Sequence, residues 1–281
     1  MIKGFEDIKG KVCVITGGGG IIGESLGMGL AAAGAKVAIV DFNVERAKEV
    51  AKLITEKYNT ETLGVFANVL DKNLLVESKN EINAKLGRID VLINGAGGNA
   101  PNATTKEEFV TDKSPEHLAG TLLGLELESF RKIFDLNFMG TVLPTMVYAI
   151  DLIENGGSII NISSMNAFRP LTKIPAYSAA KAGINNLTEW MAVHFAKVNI
   201  RVNAIAPGFF VTDQNRFLLY DKETGKLTAR GEKILSNTPM GRFGETDELI
   251  GTLLYLISDI SKFVTGIVIP VDGGFNSYSG V

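Results

Sequence analysis

A run of glycines between an apolar segment and a helical pattern is the feature that most limits what this chain can fold into. The apolar segment covers residues 11–15, and the helical pattern covers residues 24–33 and ends at Gly34. Glycines at 17–20 and Gly23 fill the interval. Because glycine adopts backbone conformations that strain other residues, this run permits a tight turn from a strand into a helix. The N-terminus of that helix would present free N–H groups to an anion.

Further apolar segments alternate with helical patterns along the chain. The apolar segments cover residues 37–40, 63–69, 91–93, 158–162, 202–205 and 267–271, and helical patterns lie at 44–58 and 74–86. Such alternation indicates βαβ units. We therefore predict an α/β fold with a Rossmann-type, doubly wound parallel sheet, and residues 1–281 as a single domain.

Two polar segments interrupt the alternation, at about residues 98–128 and 212–238. We expect the first to be an insertion and the second a substrate loop, both beside the carboxyl ends of strands, where open α/β sheets bind ligands. The alternative is that both are surface insertions without a functional role.

Charge and cysteine content exclude several classes of partner. The net charge of −3 gives no reason to expect nucleic acid or an anionic membrane as a partner. The single cysteine, Cys13, lies in an apolar segment, which indicates an inert thiol and a reducing, cytoplasmic compartment. We expect no signal peptide, no apolar run of membrane-spanning length and no metal site.

Asp41 follows the second apolar segment, eighteen residues after Gly23. A carboxylate at that point of a βαβ unit accepts hydrogen bonds from the ribose of an adenine dinucleotide and repels a 2′-phosphate. The glycine run and Asp41 therefore predict NAD as the preferred cofactor, with NADP as the alternative. A second interpretation is that Asp41 only caps the next helix, although Asn43 could do so instead.

Tyr177 and Lys181 lie one helical turn apart, and Ser164 lies thirteen residues before Tyr177. A lysine ammonium beside a phenol favours the phenolate and lowers its pKa, so that Tyr177 could exchange a proton with a substrate hydroxyl. A single pair with this spacing also arises by chance. Ser163 is the rival serine, but adjacent strand residues point to opposite faces.

With these motifs in order, the chain resembles the classical short-chain dehydrogenases/reductases over about residues 8–275. Ile21 stands where that family usually has glycine, Gly95 replaces an asparagine, and Asn68 replaces an aspartate. The resemblance implies cofactor contacts from Gly17, Gly19, Gly20, Ile21, Ile22, Gly23, Asp41, Phe42, Asn68, Val69, Asn94, Gly95, Ala96, Gly97, Tyr177, Lys181, Pro207, Gly208, Phe210 and Thr212.

The same resemblance implies a catalytic set of Asn137, Ser164, Tyr177 and Lys181. Ser164 would stabilise charge on the substrate oxygen, and Tyr177 would transfer the proton. Lys181 would lower the pKa of Tyr177 and bind the nicotinamide ribose, while Asn137 would hold a water of the proton relay. The nicotinamide would carry the hydride.

A narrower resemblance connects residues 94–105 and 161–173 with the D-mannonate oxidoreductase (fructuronate reductase) group, whose substrates are sugar acids. It implies substrate contacts from Asn99, Ser164, Asn166, Arg169, Lys173 and Tyr177. Arg169 could bind a carboxylate through two hydrogen bonds. For Arg169 and Lys173 an ordinary surface role is equally compatible with the sequence.

Other functions remain open from the sequence. The chain could be an oxidoreductase for a gluconate-type substrate, a polyol or an acyl ketone, or it could be a non-catalytic dinucleotide sensor on the same fold. The family resemblance also implies a homodimer or homotetramer. Apolar patterns near residues 130–148 and 177–195 are compatible with subunit contacts or with core packing.

Overall fold

The computed structural model describes residues 4–211 and 216–280, and these residues form one seven-stranded sheet. The strands are β1 (Val12–Thr16), β2 (Lys36–Asp41), β3 (Thr62–Phe66), β4 (Val91–Asn94), β5 (Gly157–Ile162), β6 (Ile200–Pro207) and β7 (Val268–Val271). Their order is β3-β2-β1-β4-β5-β6-β7, and every neighbouring pair is parallel. The predicted Rossmann-type sheet is confirmed.

Helices cover both faces of this sheet. The described helices are α1 (Ile21–Ala32), α2 (Val44–Tyr58), α3 (Lys72–Lys85), α4 (Pro115–Ala119), α5 (Leu127–Leu152), α6 (Pro175–Phe195), α7 (Arg216–Leu219), α8 (Ala229–Ser236) and α9 (Ile250–Ile257). Successive strand residues point to opposite faces. Cys13 and Ile15 therefore pack with α1, α2 and α9, whereas Val12 and Val14 pack with α3, α5 and α6. Burial of these apolar side chains holds both helical layers on the sheet.

The chain changes direction across the sheet between β1 and β4. From β1 it passes outward through β2 and β3, and it then returns to β4 on the other side of β1. Thr16 at the end of β1 is in register with Asn94 at the end of β4. Open α/β sheets bind ligands outside the carboxyl ends of the strands at such a switch point. The topology thus selects this edge for the functional site.

The two largest differences from the predicted element boundaries are three residues each. β3 ends at Phe66 rather than at residue 69, because the Asn68 side chain accepts a hydrogen bond from the N–H of Leu70 at 3.0 Å and turns the chain. Helix α1 begins at Ile21 rather than at residue 24, because Gly20 is extended and serves as the N-cap residue.

The two polar segments contain little regular structure. In the first, the short helix α4 is closed against the preceding chain by hydrogen bonds from the N–H groups of Lys106 and Glu107 to the carbonyl of Gly120. The segment ends where α5 begins at Leu127. The second contains α7 and α8, and its residues 212–215 lie outside the described residues.

Helix α5 corrects the expectation that no apolar stretch approaches membrane-spanning length. Within the described chain it alone is long and apolar enough to cross a membrane by length and composition, with a mean hydropathy of 1.4 over its most apolar window. Half of that window is buried, and α5 packs against α3, α6 and β4. The buried polar side chains of Asn137, Thr141 and Thr145 face the protein interior. These contacts make α5 a core helix.

The close packing of β3 on α2 gives a stability prediction. A Cβ on Gly64 would lie 2.5 Å from the backbone carbon of Ala47 and the nitrogen of Lys48. Gly64→Ala is therefore expected to lower the free energy of unfolding by about 1–3 kcal/mol in urea titrations.

Gly251→Ala is the matched control, because a Cβ at that helical position meets no atom within 4 Å. Alanine is also the better helix former, so this variant should be as stable as the wild type or more stable. Equal losses in the two variants would contradict the packing argument.

Candidate active site

The glycine turn joins β1 to α1 and lies against the loop that follows β4. Gly17 has a φ of +66°, in the left-handed region that favours glycine. A Cβ on Gly17 would lie 2.7 Å from the Cα of Ala96, and a Cβ on Gly23 would lie 2.6 Å from the carbonyl oxygen of Gly17. Both positions therefore require glycine, as the motif predicts.

Ile21 is the position where the chain departs from the family pattern. Because it is the first residue of α1, it has a helical backbone that any residue can adopt. Gly19 and Gly20 precede it in the turn, and Ile22 follows it. The N–H groups of a first helical turn lack intrahelical acceptors and can bind an anion such as a pyrophosphate. The substitution at Ile21 thus leaves this capacity intact.

Asp41, at the end of β2, holds the glycine turn in place. One carboxylate oxygen accepts a hydrogen bond from the N–H of Gly19 at 3.0 Å, and the other accepts one from the N–H of Asn43 at 2.9 Å. Asn43 caps α2 with its own side chain, so Asp41 is not needed as a cap. The Arg46 guanidinium donates to the carbonyl of Gly19 at 3.3 Å and is paired with Glu24. A carboxylate therefore lies directly beside the turn.

Three of the predicted cofactor contacts lie just beyond β2 and β3. The Phe42 ring is 71% exposed and lies 5.9 Å from the ring of Phe66, so the two form an exposed aromatic pair. Asn68 and Val69 follow β3 directly, and Val69 is buried. Phe66 was not predicted from the sequence. Its position at the end of a strand, beside the ligand-binding edge, is the signal that could have found it.

The loop after β4 is tied to the end of β1. The N–H groups of Gly95 and Ala96 approach the hydroxyl of Thr16, at 3.2 and 3.4 Å. The Asn94 amide nitrogen donates to side-chain oxygens on α5 and β5, each at 2.9 Å. These bonds cross three elements inside the core, so the backbone of this loop has a defined position beside the glycine turn.

Gly97 is the point where the cofactor loop meets the catalytic set. A Cβ on Gly97 would lie 2.6 Å from the Asn137 side-chain oxygen and 3.3 Å from the Lys181 Nζ. Asn137 is fully buried, donates to the carbonyls of Gly98 and Ile133 at 2.7 and 2.8 Å, and accepts from the N–H of Gly98 at 3.1 Å. In this structure Asn137 positions the backbone where the 98–128 segment begins. Its part in a proton relay stays a prediction.

Ser164 and Ser163 point to different environments. The Ser164 hydroxyl accepts a hydrogen bond from the N–H of Asn166 at 3.2 Å and also interacts with the Tyr177 phenol. The Ser163 hydroxyl contacts the side-chain oxygen of Asn185 at 2.5 Å on the α6 side. Ser164 is therefore the serine that accompanies Tyr177, in agreement with the alternation argument.

Tyr177 and Lys181 are adjacent, but their electrostatics differ from the prediction. The Lys181 Nζ lies 5.6 Å from the centre of the Tyr177 ring and donates to the carbonyl of Ile162 at 2.7 Å. Burial raises the pKa of the Tyr177 phenol, and the hydrogen bond with Ser164 opposes this rise. Burial also lowers the pKa of Lys181 to about 8. The expected lowering of the Tyr177 pKa is thus not found, because loss of solvent outweighs the hydrogen bond with Ser164.

The predicted substrate contacts occupy two kinds of surroundings. Asn166 is buried, and its side-chain oxygen has no hydrogen-bond partner within the described residues. Lys173 is half-buried, and its Nζ donates to the carbonyl of Lys106 at 2.6 Å. Asn99 and Arg169 are exposed. Asn166 therefore lies inside the protein, Lys173 is partly accessible to solvent, and Arg169 lies on the surface.

The end of β6 forms the far side of the site. A Cβ on Gly208 would lie 2.6 Å from the Cα of Asp272, so only glycine fits after Pro207. The ring of Phe210 is buried against Gly244, so a cofactor contact at Phe210 would have to come from its backbone. Thr212, the last predicted cofactor contact, lies outside the described residues.

Two further predictions concern chemistry that this site would not use. Burial raises the pKa of the Cys13 thiol far above its ordinary value, which agrees with an inert thiol. Across residues 4–211 and 216–280, no group of three or more His, Cys, Asp or Glu side chains could hold a metal ion.

The geometry fits a nicotinamide dinucleotide for two reasons. The glycine turn packs closely against the loop after β4, which leaves its backbone free of side chains, and the Asp41 carboxylate lies beside that turn. Comparison with known proteins agrees: the family described as enoyl-(acyl carrier protein) reductase matches residues 20–276. The chain is a classical short-chain dehydrogenase/reductase. Its oxidoreductase class follows from this membership.

Three relatives of this dehydrogenase/reductase span nearly its whole length. A solved structure of a candidate D-mannonate oxidoreductase from Haemophilus influenzae, with NAD bound, is 50% identical, covers 97% of each chain and has a TM-score of 0.91. The uncharacterized oxidoreductase UxuB of Bacillus subtilis is 46% identical over 283 residues, covering 100% of both chains. A 2-dehydro-3-deoxy-D-gluconate 5-dehydrogenase of Formosa agariphila is 30% identical over 269 residues, covering 95% of this chain and 93% of the relative.

The buried ammonium of this dehydrogenase/reductase gives a pH-dependent stability prediction. Below about pH 8 Lys181 is charged in both the folded and the unfolded protein, but only the folded protein pays the free-energy cost of burying that charge. In the unfolded chain Lys181 stays charged up to its ordinary pKa of 10.5. At pH 7, Lys181→Met is therefore expected to raise the free energy of unfolding by about 2 kcal/mol, after loss of the hydrogen bond to Ile162.

This advantage should shrink between pH 8 and pH 10.5, as the wild type sheds the charge, while turnover stays lost throughout. Urea unfolding at pH 7 and pH 10 measures the difference. Lys52→Met, at an exposed lysine of α2, should show no such pH-dependent gap. A Lys181→Met protein that is less stable than the wild type at pH 7 would contradict the argument.

Proposed function

We propose that this protein interconverts a hydroxyl and a ketone of a sugar acid with NAD(H), and that D-mannonate and D-fructuronate are the substrate pair to test first. One observation carries the proposal: Ser164, Tyr177 and Lys181 converge beside Gly97, at the edge where Asp41 and the glycine turn can hold a dinucleotide. The 50% identical relative with NAD bound, a candidate D-mannonate oxidoreductase, supports the choice of substrate.

Ser164 would bind the substrate oxygen. The N–H of Asn166 occupies one lone pair of the Ser164 hydroxyl, which leaves the O–H to donate. A donor aimed at this oxygen stabilises the negative charge that develops when a ketone is reduced. Asn166 would thus orient Ser164 through its backbone, while its buried side-chain amide lies two residues away in the same turn.

Tyr177 would supply the proton. Because burial raises the pKa of its phenol, Tyr177 is protonated at neutral pH and can act as a general acid toward a ketone. Lys181, with a pKa of about 8, is charged at the same pH and would stabilise the phenolate that remains. When bound, the nicotinamide supplies or accepts the hydride. Tyr177 accepts the proton back when the alcohol is oxidised.

Cofactor choice would follow from Asp41. The carboxylate is held toward the glycine turn by the N–H of Gly19, where it can accept from ribose hydroxyls and repel a 2′-phosphate. The neighbouring Arg46 is paired with Glu24 and Glu49, so its charge is largely matched. We therefore propose NAD as the preferred cofactor.

A gluconate-type sugar acid is the second candidate substrate. The Formosa agariphila relative is a 2-dehydro-3-deoxy-D-gluconate 5-dehydrogenase, and it aligns over nearly all of this chain. Both candidates place a carboxylate at one end of a chain of hydroxyls. The presence of Asn137, Ser164, Tyr177 and Lys181 together speaks against a non-catalytic dinucleotide sensor.

We further propose a cytoplasmic homodimer or homotetramer. Large apolar side chains are exposed on α5 and α6, including Met146 and Ile150 on the first and Trp190 and Val193 on the second. Exposed apolar patches of this kind commonly mark subunit contacts. Light scattering of the purified protein measures the assembly.

The catalytic proposal predicts the behaviour of Tyr177→Phe. This variant keeps the ring but loses the proton, so it should bind NADH with unchanged affinity and lose turnover about 10²–10⁴-fold. Cofactor fluorescence measures binding, and NADH oxidation with D-fructuronate, D-fructose and other keto sugars at matched concentrations measures turnover. Tyr58→Phe, in α2, is the control. Turnover retained by Tyr177→Phe would remove Tyr177 from this role.

The cofactor proposal predicts the behaviour of Asp41→Asn. The amide still accepts a hydrogen bond from the Gly19 N–H but no longer repels a phosphate. The ratio of kcat/KM for NADP over NAD is expected to rise at least about tenfold, because one unit of charge repulsion at close range exceeds about 1.4 kcal/mol. A wild type that already uses both cofactors equally would contradict the role of Asp41.

A further inference from the structure

A pocket lies between the loop that precedes α6, the 98–128 segment and helix α8. Its apolar lining comes from several elements, and its charged lining comes from the two polar segments and the loop. The lining residues that matter here are Leu171, Lys173, Phe209, Arg230, Lys233 and Glu108. Residues far apart in the chain therefore meet in one cavity.

Positive charge exceeds negative charge in this pocket. Lys173, Arg230 and Lys233 line it together with a single acid, Glu108, although the whole chain has a net charge of −3. Lys233 Nζ lies 2.8 Å from the Glu108 carboxylate. The hydrogen bond and charge of Lys233, with Lys173 and Arg230, hold the pKa of Glu108 below its ordinary value. The carboxylate of Glu108 thus lies among three cations.

Arg230 has no hydrogen-bond or ion-pair partner within residues 4–211 and 216–280. Its guanidinium can take a planar carboxylate through two parallel hydrogen bonds. The apolar rings of Phe209 and Phe275, which meet edge to face with their centres 5.2 Å apart, form part of the wall. An apolar wall lowers the local dielectric and strengthens attraction between a cation and an anion.

The pocket adjoins the catalytic residues through the chain. Ile174 lines the pocket and is the N-cap residue of α6, the helix that carries Tyr177 in its first turn. The N-terminal end of a 21-residue helix adds partial positive charge at the same place. Phe209 follows Gly208 directly, at the end of β6. The pocket is therefore bordered by the segments that frame the site of hydride transfer.

We propose that Arg230, Lys233 and Lys173 bind the carboxylate of the substrate, and that Glu108 occupies this place until the substrate displaces it. The inference rests on the proposed function, because the three cations would recognise the carboxylate of the proposed sugar-acid substrate. A molecule with a carboxylate at one end and a chain of hydroxyls would extend from this pocket, past Ile174, toward Tyr177. An uncharged polyol gains nothing from the pocket, so charge selects the substrate class.

The proposal assigns the carboxylate to a different cation from the sequence analysis. Arg169 does not line the pocket, whereas Lys173, four residues before Tyr177, does, as do the solvent-exposed Arg230 and Lys233 of α8. The two cations from α8 had no signal in the sequence, because only folding brings α8 to Glu108 and to the loop before α6.

Equilibrium binding tests the proposal without relying on turnover. Titration calorimetry with D-mannonate, D-gluconate and uncharged D-mannitol is carried out on the full-length protein in the presence of NADH, which cannot accept a hydride from these alcohols. Arg230→Gln and Lys233→Gln should each raise the Kd of the sugar acids about tenfold, which corresponds to about 1.4 kcal/mol. The weak binding of D-mannitol should not change. Lys222→Gln, an exposed lysine of the same polar segment, is the control.

Glu108→Gln separates carboxylate binding from a structural role. If Glu108 competes with the substrate, its neutral variant should bind sugar acids several-fold more tightly. A residue that merely holds the 98–128 segment against α8 predicts weaker or unchanged binding. Raising the salt concentration from 50 to 500 mM should weaken sugar-acid binding in the wild type more than in Arg230→Gln.

Three results would overturn the inference. They are unchanged Kd values in both α8 variants, a larger loss in Arg169→Gln than in either, and no binding of any sugar acid by the wild type. Sugar acids that bind through the pocket but are not oxidised or reduced would instead refute the proposed function and leave the pocket assignment standing.

Discussion

The contact between the turn after β1 and the loop after β4 is the constraint on which the site depends. Gly17 and Ala96 approach so closely that no side chain fits at Gly17, and Thr16 ties the two loops with its hydroxyl. The contact exists because β1 and β4 are neighbours and run parallel, so their carboxyl ends meet. Gly97, three residues after the end of β4, has no side chain and so leaves room for the side chains of Asn137 and Lys181. The glycine turn and helix α6, which carries Tyr177 and Lys181, are thereby connected through one short loop.

Burial at this junction sets the chemistry of the two titratable residues in opposite ways. The phenol of Tyr177 becomes harder to ionise, and the ammonium of Lys181 becomes easier to deprotonate. Both changes disfavour charge, since the protein interior solvates ions poorly. A site of this kind holds a protonated acid beside a cation of reduced basicity, which suits delivery of a proton to a ketone.

Much of the fold and part of the site were predictable from local pattern. The glycine positions, the apolar segments and the acid at the end of β2 each belong to a short stretch of sequence. Their structural roles could therefore be predicted without knowing which distant residues contact them. Predictions weakened where a side chain's surroundings decide its role. Phe210 packs into the core, and the Tyr177 pKa rises rather than falls. Phe66 joins Phe42 only because β2 and β3 are paired.

By itself the sequence determined the parallel sheet, and it predicted the dinucleotide turn and the catalytic roles of Ser164, Tyr177 and Lys181, because each rests on spacing along one strand, turn or helix. Only the tertiary structure decided which charges meet in the pocket beside α8. Glu108, Lys173, Arg230 and Lys233 come from three separate segments, and Lys233 lies 125 residues from its partner Glu108. Electrostatic interactions act through space rather than along the chain, so no local pattern encodes such a cluster.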